Sequence, residues 1–381
     1  MHRCNALLQC VSLLLLAFAL SAQSHAATHV FYFTNGYSTT GSTVATYKVS
    51  PTTGIPAQVG TPLSLPNAQS ISSIVATPND HFIYVMWSDS NSQSHLWAYT
   101  TDSSGVPSST PVQKLSSQGW GQLFIHKSGK FAYVLKTTSG NNGYSSKLYL
   151  YHINQTTGVL TQDPTIQATY GPDYFSLESL ISFNKAGTRL YDDSGVHFHD
   201  TDSDTYSYHP VSETTGQLSP DVGTYFAVSG YADQQYFTTN YILNLHNDGA
   251  GPSVLNVYPN KKNPAQPLFT CTQSMLSACG DAMNYWISVD EKYVFLPDNT
   301  ANDVVIGHID GTNKVITETA SITGVPFLYF APDDLLIYGV DGTNGIVQVY
   351  LFNSATGSVT SGGSITFNPA KGYGIFPATR Q

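Results

Sequence analysis

Charge is scarce in this chain. Only 10% of its 381 residues are Asp, Glu, Lys or Arg, against about 25% in an ordinary soluble domain, and polarity comes from Ser, Thr, Asn, Gly and Tyr instead. Arginine is rarest, with Arg3, Arg189 and Arg380 as the whole complement. Net charge is −10, and no basic cluster exists beyond Lys261-Lys262. Binding to a phosphate backbone needs clustered cations, so nucleic acid is not an expected partner. Long apolar runs are missing too. The longest, Val11 to Leu20, is too short for a membrane span of about 20 residues. No Gly-x-Ser-x-Gly elbow, phosphate loop or dinucleotide fingerprint occurs, and no cofactor is expected.

The short apolar run has a different reading. It follows His2 and Arg3 and ends in small residues at Ser24-His25-Ala26, the pattern of a secretory signal peptide covering residues 1–26. Residues 27–381 then form one exported domain, periplasmic or extracellular, with no membrane span after cleavage. Cys4 and Cys10 leave with the leader. Cys271 and Cys279 remain, eight positions apart in a loop-like stretch, and a local disulfide is expected of them in an oxidising compartment.

What the sequence has in abundance is repetition. Between Gln122 and Thr161, an apolar run (Leu123 to Ile125), a turn (Lys127-Ser128-Gly129-Lys130), a second run (Phe131 to Leu135), a polar loop, a third run (Leu148 to Ile153) and a Thr-Thr-Gly turn follow one another. These read as four short strands joined by tight turns. The aromatic after the first turn recurs as Tyr32, Tyr84, Tyr133, Tyr191, Tyr236, Phe295 and Tyr338, at intervals of 43 to 59 residues that average 51. A glycine turn after the third strand recurs at Gly54, Gly105, Gly158, Gly216 and Gly357. A unit of that length is one propeller blade. The chain opens at Val30 on a second strand and ends in a spare first strand at Gly374-Ile375-Phe376. The expected fold is therefore all-β: a single seven-bladed β-propeller of four-stranded antiparallel blades, closed by pairing the N- and C-terminal strands.

The turn-aromatic pattern of Lys127-Ser128-Gly129-Lys130-Phe131-Ala132-Tyr133-Val134, with the strand-plus-turn pattern of Leu148 to Gly158, resembles the seven-bladed lactonase-type (phosphogluconolactonase-like) propellers and the related YVTN-repeat propellers. The resemblance spans residues 28 to 378. It implies an Arg-His pair before the innermost strand of a blade, at the central pocket. The corresponding pairs here are Ser72-Ser73, Gly121-Gln122, Ser179-Leu180, Met283-Asn284 and Pro326-Phe327, and none contains either residue. A phosphosugar needs fixed cations around its phosphate, so a phosphorylated lactone is not the expected substrate. A neutral lactone asks only for a base and an oxyanion donor.

Residues ahead of the innermost strands should line one mouth of the channel: Ser72, Trp120, Gln122, Glu178, Asn284, Tyr285, Phe327, Tyr329 and Tyr373. Glu178 is the one carboxylate among them and the candidate general base. A second cluster, with His197, His199, Asp200 and Asp202, suggests a metal site. The calcium-loop pattern breaks at Thr205 and Val211, which favours a solvated turn without metal. The expectation for function is a monomeric exported binding or scaffold module whose partner is a small molecule, a glycan or a protein. The alternatives are a lactonase-like carboxylic ester hydrolase for a neutral lactone, and a glycan-binding propeller using Trp87, Trp97 and Trp120.

Overall fold

The computed structural model describes residues 28–380 apart from 36–40, 80, 141–142, 174–180, 194–202, 230, 248–253, 277, 280–284, 299–300, 302, 326, 332, 334 and 369–372. The leader lies outside the described residues. Seven four-stranded antiparallel sheets form a ring. Blade 1 comprises β1 (Thr28–Asn35), β2 (Ser42–Val49) and β3 (Pro56–Leu65), and blade 2 comprises β4 (Ser70–Ala76), β5 (Phe82–Ser88), β6 (Gln93–Thr100) and β7 (Gln113–Gln118). Blade 3 holds β8 (Trp120–Ile125), β9 (Phe131–Gly140), β10 (Gly143–Ile153) and β11 (Leu160–Asp173). Blade 4 follows with β12 (Ser182–Phe183), β13 (Arg189–Asp193), β14 (Ser203–Pro210) and β15 (Phe226–Ser229), and blade 5 with β16 (Tyr231–Phe237), β17 (Tyr241–Asn247), β18 (Val254–Pro259) and β19 (Phe269–Thr270). Blade 6 is β20 (Trp286–Ile287), β21 (Tyr293–Asp298), β22 (Asp303–Asp310) and β23 (Val315–Thr323), and blade 7 is β24 (Phe327–Phe330), β25 (Leu336–Asp341), β26 (Ile346–Asn353) and β27 (Ser358–Thr366).

The ring closes as the sequence pattern predicts. The last strand, β28 (Tyr373–Arg380), pairs with β1 in a ladder from Thr28↔Arg380 to Asn35↔Tyr373 and becomes the innermost strand of blade 1. Second strands such as Phe82–Ser88 are buried along both faces, because each blade is sandwiched between two others and alternate side chains enter opposite seams. Tyr84, Met86 and Ala98 meet Leu123, Ala132 and Val134 in the seam of blades 2 and 3. Ile83, Val85 and Tyr99 meet Val30, Val44 and Leu65 in the seam of blades 1 and 2.

The recurring tyrosine and the recurring glycine turn belong to one device. Tyr32 donates its hydroxyl to Gly105 O (3.0 Å), Tyr84 to Gly158 O (2.9 Å) and Tyr133 to Gly216 O, each reaching from its own blade to the outer turn of the next. Where the anchor is Phe295, which has no hydroxyl, Thr319 Oγ1 donates to Gly357 O instead (3.2 Å). At the seam of blades 7 and 1, Gly363 N takes the Gly54 carbonyl (3.1 Å), and the buried Tyr338 hydroxyl has no partner.

Blade 5 corrects the repeat register. Tyr236 is not on a second strand: it sits on the innermost strand β16, 39% exposed, and pairs with Leu243. Leu243 occupies the anchor position, 52 residues from both Tyr191 and Phe295, but carries no aromatic ring by which to recognise it.

Candidate functional site

The innermost strands β24, β28, β4 and β8 contact one another in sequence and form one arc of the channel wall. The connections that enter innermost strands lie at the same end as the loops between second and third strands, and this end is the upper mouth. Gly119 alone joins β7 to β8 there, with φ +76° and its carbonyl accepting from Thr137 N at 2.7 Å. A Cβ at this position would meet Thr137 O at 2.1 Å, so only glycine lets β8 begin at Trp120.

Of the residues expected at the mouth, Ser72, Trp120, Gln122, Tyr329 and Tyr373 all lie on this arc. Ser72 Oγ donates to Met86 O (3.3 Å) beside an irregularity in the β4–β5 pairing. Trp120 packs on the core of the seam between blades 2 and 3, and its carbonyl accepts from Ser94 Oγ (3.2 Å). Gln122 follows an irregularity in the β8–β9 register, and its buried Oε1 has no partner. Tyr373 leans on Phe367, ring centroids 4.6 Å apart, and its hydroxyl fits over Gly342, where a Cβ would come within 2.7 Å. Burial pushes the Tyr329 phenol up, with the Tyr373 phenol as a second cause. Burial also raises Tyr373, helped by the negative charge of Asp341. Both phenols are therefore neutral donors at physiological pH.

Tyr285 corrects the expectation. It is fully buried and donates its hydroxyl to Leu243 O (2.7 Å), so it braces the seam of blades 5 and 6 and does not line the mouth. Glu178 and Asn284 lie outside the described residues, as do His197, His199, Asp200 and Asp202 and the side chain of Phe327. Cys271 and Cys279 are disulfide-bonded, Cα–Cα 5.7 Å, in the connector from blade 5 to blade 6. No group of three His, Cys, Asp or Glu placed to hold a metal occurs among the described residues.

The tryptophans form no exposed platform. Trp87 is 3% exposed and stacks on His95 at 4.0 Å, Trp97 meets it edge-on at 5.2 Å, and Lys114 Nζ covers the Trp97 ring at 4.4 Å.

Blade 5 contributes polar groups that the sequence pattern did not reveal. Gln235 on β16 accepts from Asn244 Nδ2 on β17 (3.2 Å), which leaves Gln235 Nε2 and Asn244 Oδ1 buried and unpaired. Asp233 also belongs to β16, the one acid on an innermost strand among the described residues. The apolar run Ile242, Leu243, Leu245, read as a second strand, was the signal that would have put β16 on the channel.

The fold defines the class: a seven-bladed β-propeller. Two solved structures, each described as a "putative 6-phosphogluconolactonase", match it. The one from Bacteroides uniformis does so with TM-score 0.61 and 14% identity over 92% of this chain and 99% of that one. The one from Bacteroides fragilis gives 0.62 and 15% over 94% and 99%. The periplasmic gluconolactonase of Pseudomonas aeruginosa matches with TM-score 0.58 and 10% identity, over 91% of this chain and 99% of its own. At such identities the likeness is one of fold. No protein-family profile and no curated protein matches the sequence.

Proposed function

We propose that this is an exported binding propeller that takes a small uncharged ligand at the upper mouth of its channel, on the arc of blades 7, 1, 2 and 3. The chemistry of that arc carries the reading. Two neutral phenols, Tyr329 and Tyr373, lie on the same arc as the amide of Gln122 and the hydroxyl of Ser72, which gives its proton to Met86 O, and no described side chain of β24, β28, β4 or β8 is charged. Hydroxyl and carbonyl groups of a neutral ring match such donors, and the Tyr373–Phe367 pair offers an apolar face. The nearby Lys136 is engaged elsewhere, donating to Ser117 Oγ at 3.0 Å. The leader-like N-terminus and the disulfide support export.

A screen of neutral lactones and oligosaccharides by thermal shift tests the proposal. Ligand at about 100 times its dissociation constant stabilises the fold by roughly 2.7 kcal/mol. The double variant Tyr329→Phe/Tyr373→Phe should weaken binding about 10- to 100-fold, at roughly 1 kcal/mol per lost hydrogen bond, while the ligand-free midpoint stays unchanged. A screen in which nothing shifts the midpoint, or a variant that binds like wild type, sinks the reading.

Likeness to a gluconolactonase favours one second reading, hydrolysis of a neutral lactone. Glu178 would take the proton from water and a phenol would donate to the developing oxyanion. Glu178→Gln should then abolish turnover of any lactone the protein opens. Asp233→Asn is the companion variant, because β16 carries that residue to the channel wall. Turnover untouched by both would remove these carboxylates from the mechanism.

A further inference from the structure

A cluster of ionisable side chains occupies blade 4 on the face turned to blade 3. His209 Nδ1 lies 2.9 Å from Ser219 O, and Nε2 lies 2.9 Å from Asp192 Oδ2. A carbonyl oxygen only accepts, so Nδ1 must carry hydrogen. The carboxylate on the other side accepts as well, and the ring satisfies both when it is doubly protonated. Asp192 is 2% exposed, and its second oxygen accepts from Ser207 Oγ at 2.6 Å.

The charged and titratable groups around the ring come from each packed element. Asp192 faces it from β13 and Asp221 from the segment after β14, where Asp221 Oδ2 lies 3.3 Å from Ser207 Oγ. Tyr170 of β11 stands behind Asp192, its phenol pushed well up by burial and by that carboxylate. Arg189 of β13 is occupied elsewhere, over the Tyr208 ring at 4.6 Å.

We infer that His209 is a proton-operated latch: doubly protonated, it ties β13, β14 and the Ser219–Asp221 segment together against blade 3, and on losing a proton it must release Asp192 or the Ser219 carbonyl. Burial opposes the charge, but the hydrogen bonds to Asp192 and Ser219 and the charges of Asp192 and Asp221 outweigh it and raise the imidazole above its usual range. The sign follows from linkage. A raised folded value gives stabilisation that is complete below the unfolded pKa of about 6.5 and disappears as pH rises through the folded value.

The test uses the full chain. Histidine ring NMR should show His209 titrating above about 6.5, and unfolding midpoints should fall between about pH 6 and pH 9 in wild type but much less in His209→Gln. Each pH unit by which the folded value exceeds the unfolded one is about a tenfold change in the folding equilibrium. A ring that titrates at or below the free value, or equal pH dependence in both proteins, overturns the latch. Should His209→Gln not fold, Asp221→Asn at its exposed position gives the answer: the titration midpoint of His209 should drop, and an unmoved midpoint overturns the cluster as its cause.

Discussion

A chain ending at Asn368 is expected to lose its cooperative unfolding transition. The cut removes β28, and with it the whole ladder from Thr28↔Arg380 to Asn35↔Tyr373. Ile375 and Ala378 are 1% and 4% exposed in the closed ring, and full burial of a side chain the size of isoleucine stabilises by about 1.5 to 3 kcal/mol. Their departure also uncovers Phe31 and Phe33, which share the seam of blades 7 and 1 with Ile375 and Tyr338. Several such losses add up to a sizeable part of the roughly 5 to 15 kcal/mol that holds a domain together. The exposed edge of β1 would then be free to template pairing between chains. Circular dichroism melts of the truncated chain should show a broad or absent transition and concentration-dependent loss of solubility. Adding a peptide of residues 369–381 should restore the transition at least in part. A truncated chain that melts like the full one would mean that closure is not carried by β28.

How much of this was legible beforehand depended on whether a position had a residue-type signature. The tyrosine of a second strand and the glycine after a third strand recur because the seams led by Tyr32, Tyr84 and Tyr133 use both. Tyr84 must reach the Gly158 carbonyl, and Gly158 must let Phe82 pass beneath it. A contact repeated from blade to blade leaves a period in the sequence, and the period revealed the fold. Leu243 shows the limit. Packing of that seam needs apolar volume, which leucine supplies as well as tyrosine, so the aromatic marker is absent and the nearest aromatic, Tyr236, points to the wrong strand. Tyr285 shows another. A tyrosine next to an innermost strand can turn to the channel or into a seam, and only the acceptor at Leu243 O decides it. The Gln235–Asn244 amide pair and the His209 cluster do not recur among the described residues of the other blades, so no periodicity announces them.

The interlock of Tyr84, Phe82 and Gly158 is also where the smallest change should do the most harm. Gly158→Ala is expected to destabilise the protein by about 2 to 5 kcal/mol, from two causes that can be separated. Gly158 has φ +72°, a left-handed conformation that costs a residue with a Cβ about 1 to 2 kcal/mol. In addition the new Cβ would lie 2.4 Å from Phe82 Cδ1, and forcing such overlap into a packed core costs about 1 to 3 kcal/mol. Gly223 isolates the first cause: its φ is +74°, and a Cβ there meets nothing within 4 Å. Gly223→Ala should therefore cost only about 1 to 2 kcal/mol, and the difference between the two variants in urea unfolding measures the seam. If the turn is pushed outward, the hydrogen bond from Tyr84 to the Gly158 carbonyl goes with it. Tyr84→Phe should then cost about 1 to 3 kcal/mol in the wild-type background, through a buried carbonyl left unpaired, and far less in Gly158→Ala. Equal destabilisation by the two glycine variants would show that the backbone conformation carries the whole effect and that the packing of Phe82 against the turn adds nothing.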